Sequence, residues 1–178
     1  MRFDASPLPG VFTIEPELLA DDRGFFARAF CVDEFAQHGL ETDFVQCNMS
    51  GNVHRNTVRG LHFQLSPHEE VKVVRCISGA IFDVAVDLRP ESPTYLQWYG
   101  AELSAENRRV LYVPRGFGHG YQTLTDGAEV FYQVSEYYTP GAEGGLRFDD
   151  PSIGIDWPLG TEGVVISDKD AAWPLLGA

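Results

Sequence analysis

The chain has 178 residues, 44% hydrophobic and 12% aromatic, enough to bury most of its apolar surface in one folded unit. Thirteen lysines and arginines face 26 acidic residues, giving a formal net charge of −13, which argues against nucleic acid and anionic membranes as partners. Cys31, Cys47 and Cys76 are odd in number and lack metal-ligand spacing, the first residues lack a basic-then-apolar pattern, and no apolar run reaches membrane length. These features predict free thiols in a reducing, cytoplasmic compartment.

Residues 1–30 read as an N-terminal arm of a single domain spanning 1–178. Within the arm, residues 11–15 are a candidate strand, and Asp21-Asp22-Arg23-Gly24 signals a turn. Residues 33–39 predict a short helix with Asp33 as N-cap and Gly39 as its stop. From residue 44 the pattern changes to strands separated by turns, over 44–50, 58–64, 71–77, 81–88, 95–103, 109–113, 120–124 and 129–135. Short, closely spaced strands with few helices predict an all-β sandwich or barrel. The tail from about residue 148 is irregular, with a candidate helical turn over 168–172.

The chemistry concentrates in Arg59-Gly60-Leu61-His62-Phe63-Gln64 and in Lys72, which lies inside an apolar strand and is one of only two lysines. A lysine there costs desolvation energy unless it is paired. If Ser78-Gly79 is a two-residue hairpin turn, Val74 lies opposite Asp83, and Asp83 becomes the counter-charge for Lys72. An imidazole is the usual general base near neutral pH, and an ammonium can offset a developing oxyanion. The strand phenol of Tyr132 could return a proton. Base, cation and phenol together suit proton abstraction next to a carbonyl.

Pro114-Arg115-Gly116-Phe117-Gly118-His119 resembles the second signature motif of the cupin superfamily, a double-stranded β-helix or jelly roll. Metal-binding cupins place a His-x-His pair on an earlier hairpin. Here that segment is His62-Phe63-Gln64, and glutamine is a poor transition-metal ligand. The expectation is therefore no metal, with a weak His62/Glu/His119 site through Glu69 or Glu70 as the alternative.

Further motifs run in order along nearly the whole chain. They include Asp22-Arg23-Gly24-Phe25-Phe26, Gln46-Cys47-Asn48, the 59–64 stretch, Phe82-Asp83-Val84-Ala85-Val86-Asp87, Tyr137-Tyr138-Thr139-Pro140 and Ile155-Asp156-Trp157-Pro158. Together they resemble the dTDP-4-dehydrorhamnose 3,5-epimerase family. The resemblance implies a cupin-type jelly roll with short peripheral helices, acting as a homodimer without metal or organic cofactor on a nucleotide-diphospho-4-keto-6-deoxy sugar. It implies His62 as base, Asp170 as its dyad partner, Lys72 as enolate partner and Tyr132 as the opposing acid. It further implies Arg59 and His119 at the diphosphate or ring oxygens, and Gln46, Asn48, Glu143 and Lys169 at nucleotide or sugar contacts. Tyr138 would stack on the base, and Arg23 and Phe26 on the arm would reach a site, often the partner subunit's. The arginines would make the site locally basic within an acidic protein. Arg28, Gln133 and the 65–71 loop depart from the family pattern. A monoepimerase and a non-catalytic sugar-nucleotide-binding cupin are the alternative readings.

Overall fold

The computed structural model describes residues 1–177. The described elements are β1 (Arg2–Ala5), β2 (Phe12–Glu15), β3 (Leu18–Asp21), β4 (Gly24–Ala27), α1 (Val32–Gln37), β5 (Gln46–Asn52), β6 (Val58–Gln64) and β7 (Lys72–Ser78). They continue with β8 (Ala80–Asp87), β9 (Trp98–Ser104), β10 (Val110–Val113), β11 (Phe117–Thr123), β12 (Ala128–Val134), β13 (Glu143–Gly145) and α2 (Asp168–Ala171). A six-stranded sheet runs β1-β2-β10-β7-β12-β5, a five-stranded sheet runs β13-β6-β11-β8-β9, and β3-β4 form a separate ribbon. Every strand pair is antiparallel. Successive strands such as β7 and β8, β10 and β11, and β11 and β12 fall in different sheets. That hopping between two facing sheets is the jelly-roll architecture expected from the sequence.

The strands alternate faces, and three apolar clusters follow from that alternation. Val74 and Cys76 of β7 meet Ile81 and Ala85 of β8, Phe117 and Tyr121 of β11 and Val130 of β12 between the sheets. On the outer face of the six-stranded sheet, Val73 and Tyr112 pack against Phe35 of α1. On the outer face of the five-stranded sheet, Leu61, Val84 and Val86 are covered by Phe148, Ile153 and Trp157 of the irregular tail. These tail residues lie outside any strand or helix yet bury an apolar layer.

Two local expectations are corrected. Helix α1 begins at Val32, and its N-cap is Cys31, whose side chain makes no capping bond, rather than Asp33. Gly39 does end it: at φ +68°, it donates its N–H to Ala36 O at 3.0 Å. The Ser78-Gly79 turn is a corner between sheets and not a hairpin, since β7 pairs with β10 and β12 while β8 pairs with β9 and β11. Asp83 therefore does not meet Lys72. It faces His119 in its own sheet, with Asp83 Oδ1 2.8 Å from His119 Nε2, and Lys72 pairs instead with Glu70.

Gly60 sets the face of the residues that matter most. Opposite β11, the register runs from His119↔His62 to Tyr121↔Arg59, so β6 uses one residue more than its partner. The extra residue resets the alternation: Val58 and Leu61 both point outward, and Arg59 and His62 both turn toward the space between the sheets. Only glycine fits there. Gly60 has φ +116°, and a Cβ would lie 2.6 Å from Gly120 Cα and 2.7 Å from His119 O. Gly60→Ala is expected to cost about 2–3 kcal/mol, lowering Tm by roughly 4–12 °C. Thermal unfolding followed by circular dichroism checks this, and a Tm within a degree or so of the parent would refute it.

Candidate active site

Two adjoining cavities of about 310 and 390 Å³ open between the sheets, and both are lined by His62, Lys72 and Tyr132. His62 comes from β6 in the five-stranded sheet; Lys72 and Tyr132 come from the neighbouring strands β7 and β12 of the six-stranded sheet. The imidazole and the phenol thus approach the shared space from opposite walls.

The tail completes the histidine. Val58 donates its N–H to Val165 O at 2.9 Å, which lays the tail along β6. The Ser167 hydroxyl accepts the N–H of Asp170 at the start of α2, at 3.1 Å. Asp170, 5% exposed, then sets Oδ1 2.8 Å from His62 Nε2 and accepts the Gly60 N–H on Oδ2 at 3.3 Å. With Nε2 donating to the carboxylate, Nδ1 is the basic nitrogen. Burial disfavours the Asp170 carboxylate, but the His62 hydrogen bond and charge and the Gly60 N–H outweigh it, so its pKa lies below the ordinary value. Burial, reinforced by the nearby Tyr121 and Glu70, raises the pKa of Tyr132 above that of a free phenol, and the group is a proton donor at neutral pH.

The remaining sequence-predicted residues divide by place. Gln46 and Asn48 on β5 line the first cavity with Tyr138 and Glu143, and the Gln46 amide donates to Asn48 Oδ1 at 2.8 Å. Lys169 reaches Glu143 at 2.6 Å, and that partner raises its pKa. Arg59 and His119 line the second cavity. Arg59 donates to Asn52 Oδ1 at 2.8 Å and Gly51 O at 3.2 Å, and it is the cavity cation without a carboxylate partner among the described residues. Arg23 and Phe26 are not brought to either cavity in this chain. They lie on the exposed β3–β4 ribbon, where Arg23 pairs with Asp21 at 2.5 Å. The expectation of a locally basic site is narrowed, since the Lys72 charge is offset by Glu70, 3.1 Å away.

Sequence reasoning missed the work of two side chains. Sequence alone offers Glu70 only as an alternative metal ligand, in a loop that departs from the family pattern, and Gln64 only as a poor one; both line the cavity. Trp173, in the irregular tail, packs over Gly145, where a Cβ would fall 2.3 Å from the indole. Its ring stands edge-on to His62 at 6.5 Å.

The site is a jelly-roll cavity carrying a histidine–aspartate pair, a lysine and an opposed tyrosine, the equipment of an enzyme that moves protons on a carbon acid. Comparison with known proteins gives the particular family. The statistical model described as dTDP-4-dehydrorhamnose 3,5-epimerase matches residues 5–178. The dTDP-4-dehydrorhamnose 3,5-epimerase of Methanothermobacter thermautotrophicus is 48% identical over 176 residues, covering 98% of this chain and 94% of that protein. The crystal structure of the Bacillus anthracis enzyme with TDP and PPi bound matches with TM-score 0.94 at 40% identity, covering 98% of this chain and 99% of that one. The dTDP-6-deoxy-D-glucose-3,5-epimerase of Legionella pneumophila in complex with dTDP-4-keto-L-rhamnose matches with TM-score 0.91 at 40% identity, covering 98% and 92%. The chain belongs to the dTDP-4-dehydrorhamnose 3,5-epimerase family.

The depressed Asp170 pKa links the site to stability. Its carboxylate stabilises the fold fully above the unfolded-state value of about 3.9, and that contribution is lost as pH falls through the lower folded-state value. Asp170→Asn is expected to flatten the acid limb of stability below about pH 4. Urea melts across that range check it, and an unchanged slope would count against the pairing.

Proposed function

We propose that this protein inverts C3 and C5 of a dTDP-linked 4-keto-6-deoxy sugar. The observation that carries the reading is the convergence of the His62–Asp170 pair and the Tyr132 phenol on one cavity from opposite sheets, beside the Lys72 ammonium. His62 takes the proton from the carbon next to the C4 ketone. The C–H electron pair moves into the new C=C bond, and negative charge collects on the C4 oxygen. Lys72 stabilises that enolate, and Asp170 stabilises the imidazolium. Tyr132 returns a proton from the opposite face, inverting the carbon, and solvent resets both groups. The second carbon follows by the same steps, and no cofactor is required.

Arg59 and His119 take the diphosphate or ring oxygens; Arg59 suits this because its present acceptors are neutral. Gln46, Asn48, Glu143 and Lys169 contact the sugar and nucleotide, and Tyr138, on the first cavity wall, stacks on the base. We read the chain as a single domain that works as a cytoplasmic homodimer. The β3–β4 ribbon supports the dimer: Leu19 and Phe26 are 62% and 70% exposed, which suits an arm that carries Arg23 and Phe26 onto a second copy. No described helix is long and apolar enough to cross a membrane.

Solvent deuterium exchange into dTDP-, UDP-, CDP- and GDP-linked 4-keto-6-deoxy sugars, followed by NMR, tests the reading. Exchange at both C3 and C5 of the dTDP sugar is expected; exchange at one carbon would make the protein a monoepimerase, and none in the panel would sink the proposal. His62→Asn should slow exchange at both carbons by at least about 100-fold; an undiminished rate would remove His62 as the base. Tyr132→Phe should reduce inversion more than exchange, because the enolate can still be reprotonated on the His62 face. Equal loss of both would contradict the opposed-face assignment.

A further inference from the structure

Gln64 lies on β6 only two residues beyond His62, 6% exposed, and its amide is fully engaged. Gln64 Nε2 donates toward His68 O at 3.1 Å, Glu70 Oε2 at 3.1 Å and Tyr137 O at 3.2 Å. Gln64 Oε1 accepts the N–H of Thr139 at 2.8 Å. The amide has one workable orientation: reversed, its oxygen would face a carboxylate and two carbonyls. The other Glu70 oxygen, Oε1, lies 3.1 Å from Lys72 Nζ, with the two side chains 13% and 10% exposed. The only further contact of that ammonium among the described residues is the His62 carbonyl at 3.4 Å. A continuous line of polar contacts therefore runs from the backbone of residues 137–139, through Gln64 and Glu70, to Lys72.

A lysine is a point charge on a flexible four-carbon stem, and by itself it does not hold one position in an open cavity. A cation lowers the barrier to enolate formation only if it already stands where the charge develops. We propose that Gln64 and Glu70 are positioning residues: Glu70 holds the Lys72 ammonium at the cavity wall, and Gln64 holds Glu70 by fixing it to the 137–139 segment. The epimerase reading supplies the step that Lys72 serves, and this inference rests on that reading. Glu70 is then the reason the loop before Lys72 carries acid here, and Gln64 is a cross-link where a metal-binding cupin has a ligand.

The chain has only Lys72 and Lys169, so ¹³C,¹⁵N-labelled lysine gives a two-residue NMR spectrum that Lys169→Arg assigns. In the unaltered protein the two Lys72 ε-methylene protons are expected at distinct shifts, because the stem is held. Glu70→Gln should merge them and lower kcat for deuterium exchange by about ten-fold, with KM changed by less than about three-fold. Lys72 signals unchanged by the substitution, or a kcat within about two-fold of the parent, would overturn the proposal. Glu70→Asp, which keeps the charge but withdraws it by one methylene, is the second variant if Glu70→Gln does not fold. Its rate should fall below the parent's, and a parental rate with parental Lys72 signals would also overturn the proposal. If the unaltered protein exchanges no sugar while the Lys72 signals still merge in Glu70→Gln, the epimerase reading fails and the positioning role stands.

Discussion

A charged side chain in a half-buried cavity is costly unless it is paired or hydrogen-bonded, and removing one member of a buried pair costs about 3–5 kcal/mol. That constraint organises the space between the two sheets. Lys72 stands against Glu70, His62 against Asp170 and His119 against Asp83. At the rim, Lys169 stands against Glu143. The His62 and His119 pairs join residues 108 and 36 positions apart, so the polar end of the cavity exists only once tail and sheets have assembled. Beyond the site the same space is filled by Val74, Ile81, Leu103 and Leu111. The interior of the sandwich is therefore part solid core and part open, pre-paired site.

The backbone delivers those pairs through two devices. The first is the extra residue in β6, which gives Arg59 and His62 the same face although they are three positions apart in a strand of period two. The second is the tail, which covers the outer face of the five-stranded sheet with Phe148, Ile153 and Trp157. It then turns past the edge of β6 to place Asp170 behind His62. Apolar burial on the outside of the sheet thus anchors the carboxylate that holds His62. A substitution that loosened the tail would disturb the His62–Asp170 pair without touching the cavity lining.

The fold class was legible because alternation marks strands wherever one face is buried. What the alternation does not encode is which sheet a strand joins. Ser78-Gly79 looks the same as a hairpin turn or as a corner, and the wrong choice gave Lys72 the carboxylate that belongs to His119. The strands that escaped sequence reading are short: β1, β3 and β4 are largely exposed, and β13 has three residues and two glycines. None carries an alternating apolar face. His62, Lys72 and Tyr132 announced themselves as reactive side chains inside strand patterns. Asp170, Gln46, Asn48, Tyr138, Glu143 and Lys169 were visible only through the family resemblance: Asp170 and Lys169 find their partners far along the chain, and the others are common residue types with no local pattern that marks a site. Trp173 left no signal beyond an aromatic residue in an irregular tail, since its counterpart is the missing side chain of Gly145.

The pairing also bears on how a protein of net charge −13 accommodates an anionic ligand. Long-range attraction is not available, since a distant anion meets a field that is repulsive on balance and is screened within about 8 Å at physiological salt. Within the cavity most positive charge is already committed, with Lys72 held by Glu70 and Lys169 by Glu143. Arg59 differs: its guanidinium is oriented by Asn52 Oδ1 and Gly51 O, both neutral acceptors, so its charge is not offset before a ligand arrives. A planar guanidinium held in this way favours a ligand that presents two oxygens at the matching spacing. The paired lysine, meanwhile, stands at the wall shared by both cavities. If the ligand is a diphosphate, as proposed, selectivity comes from contact geometry at Arg59 and not from the overall field of the protein.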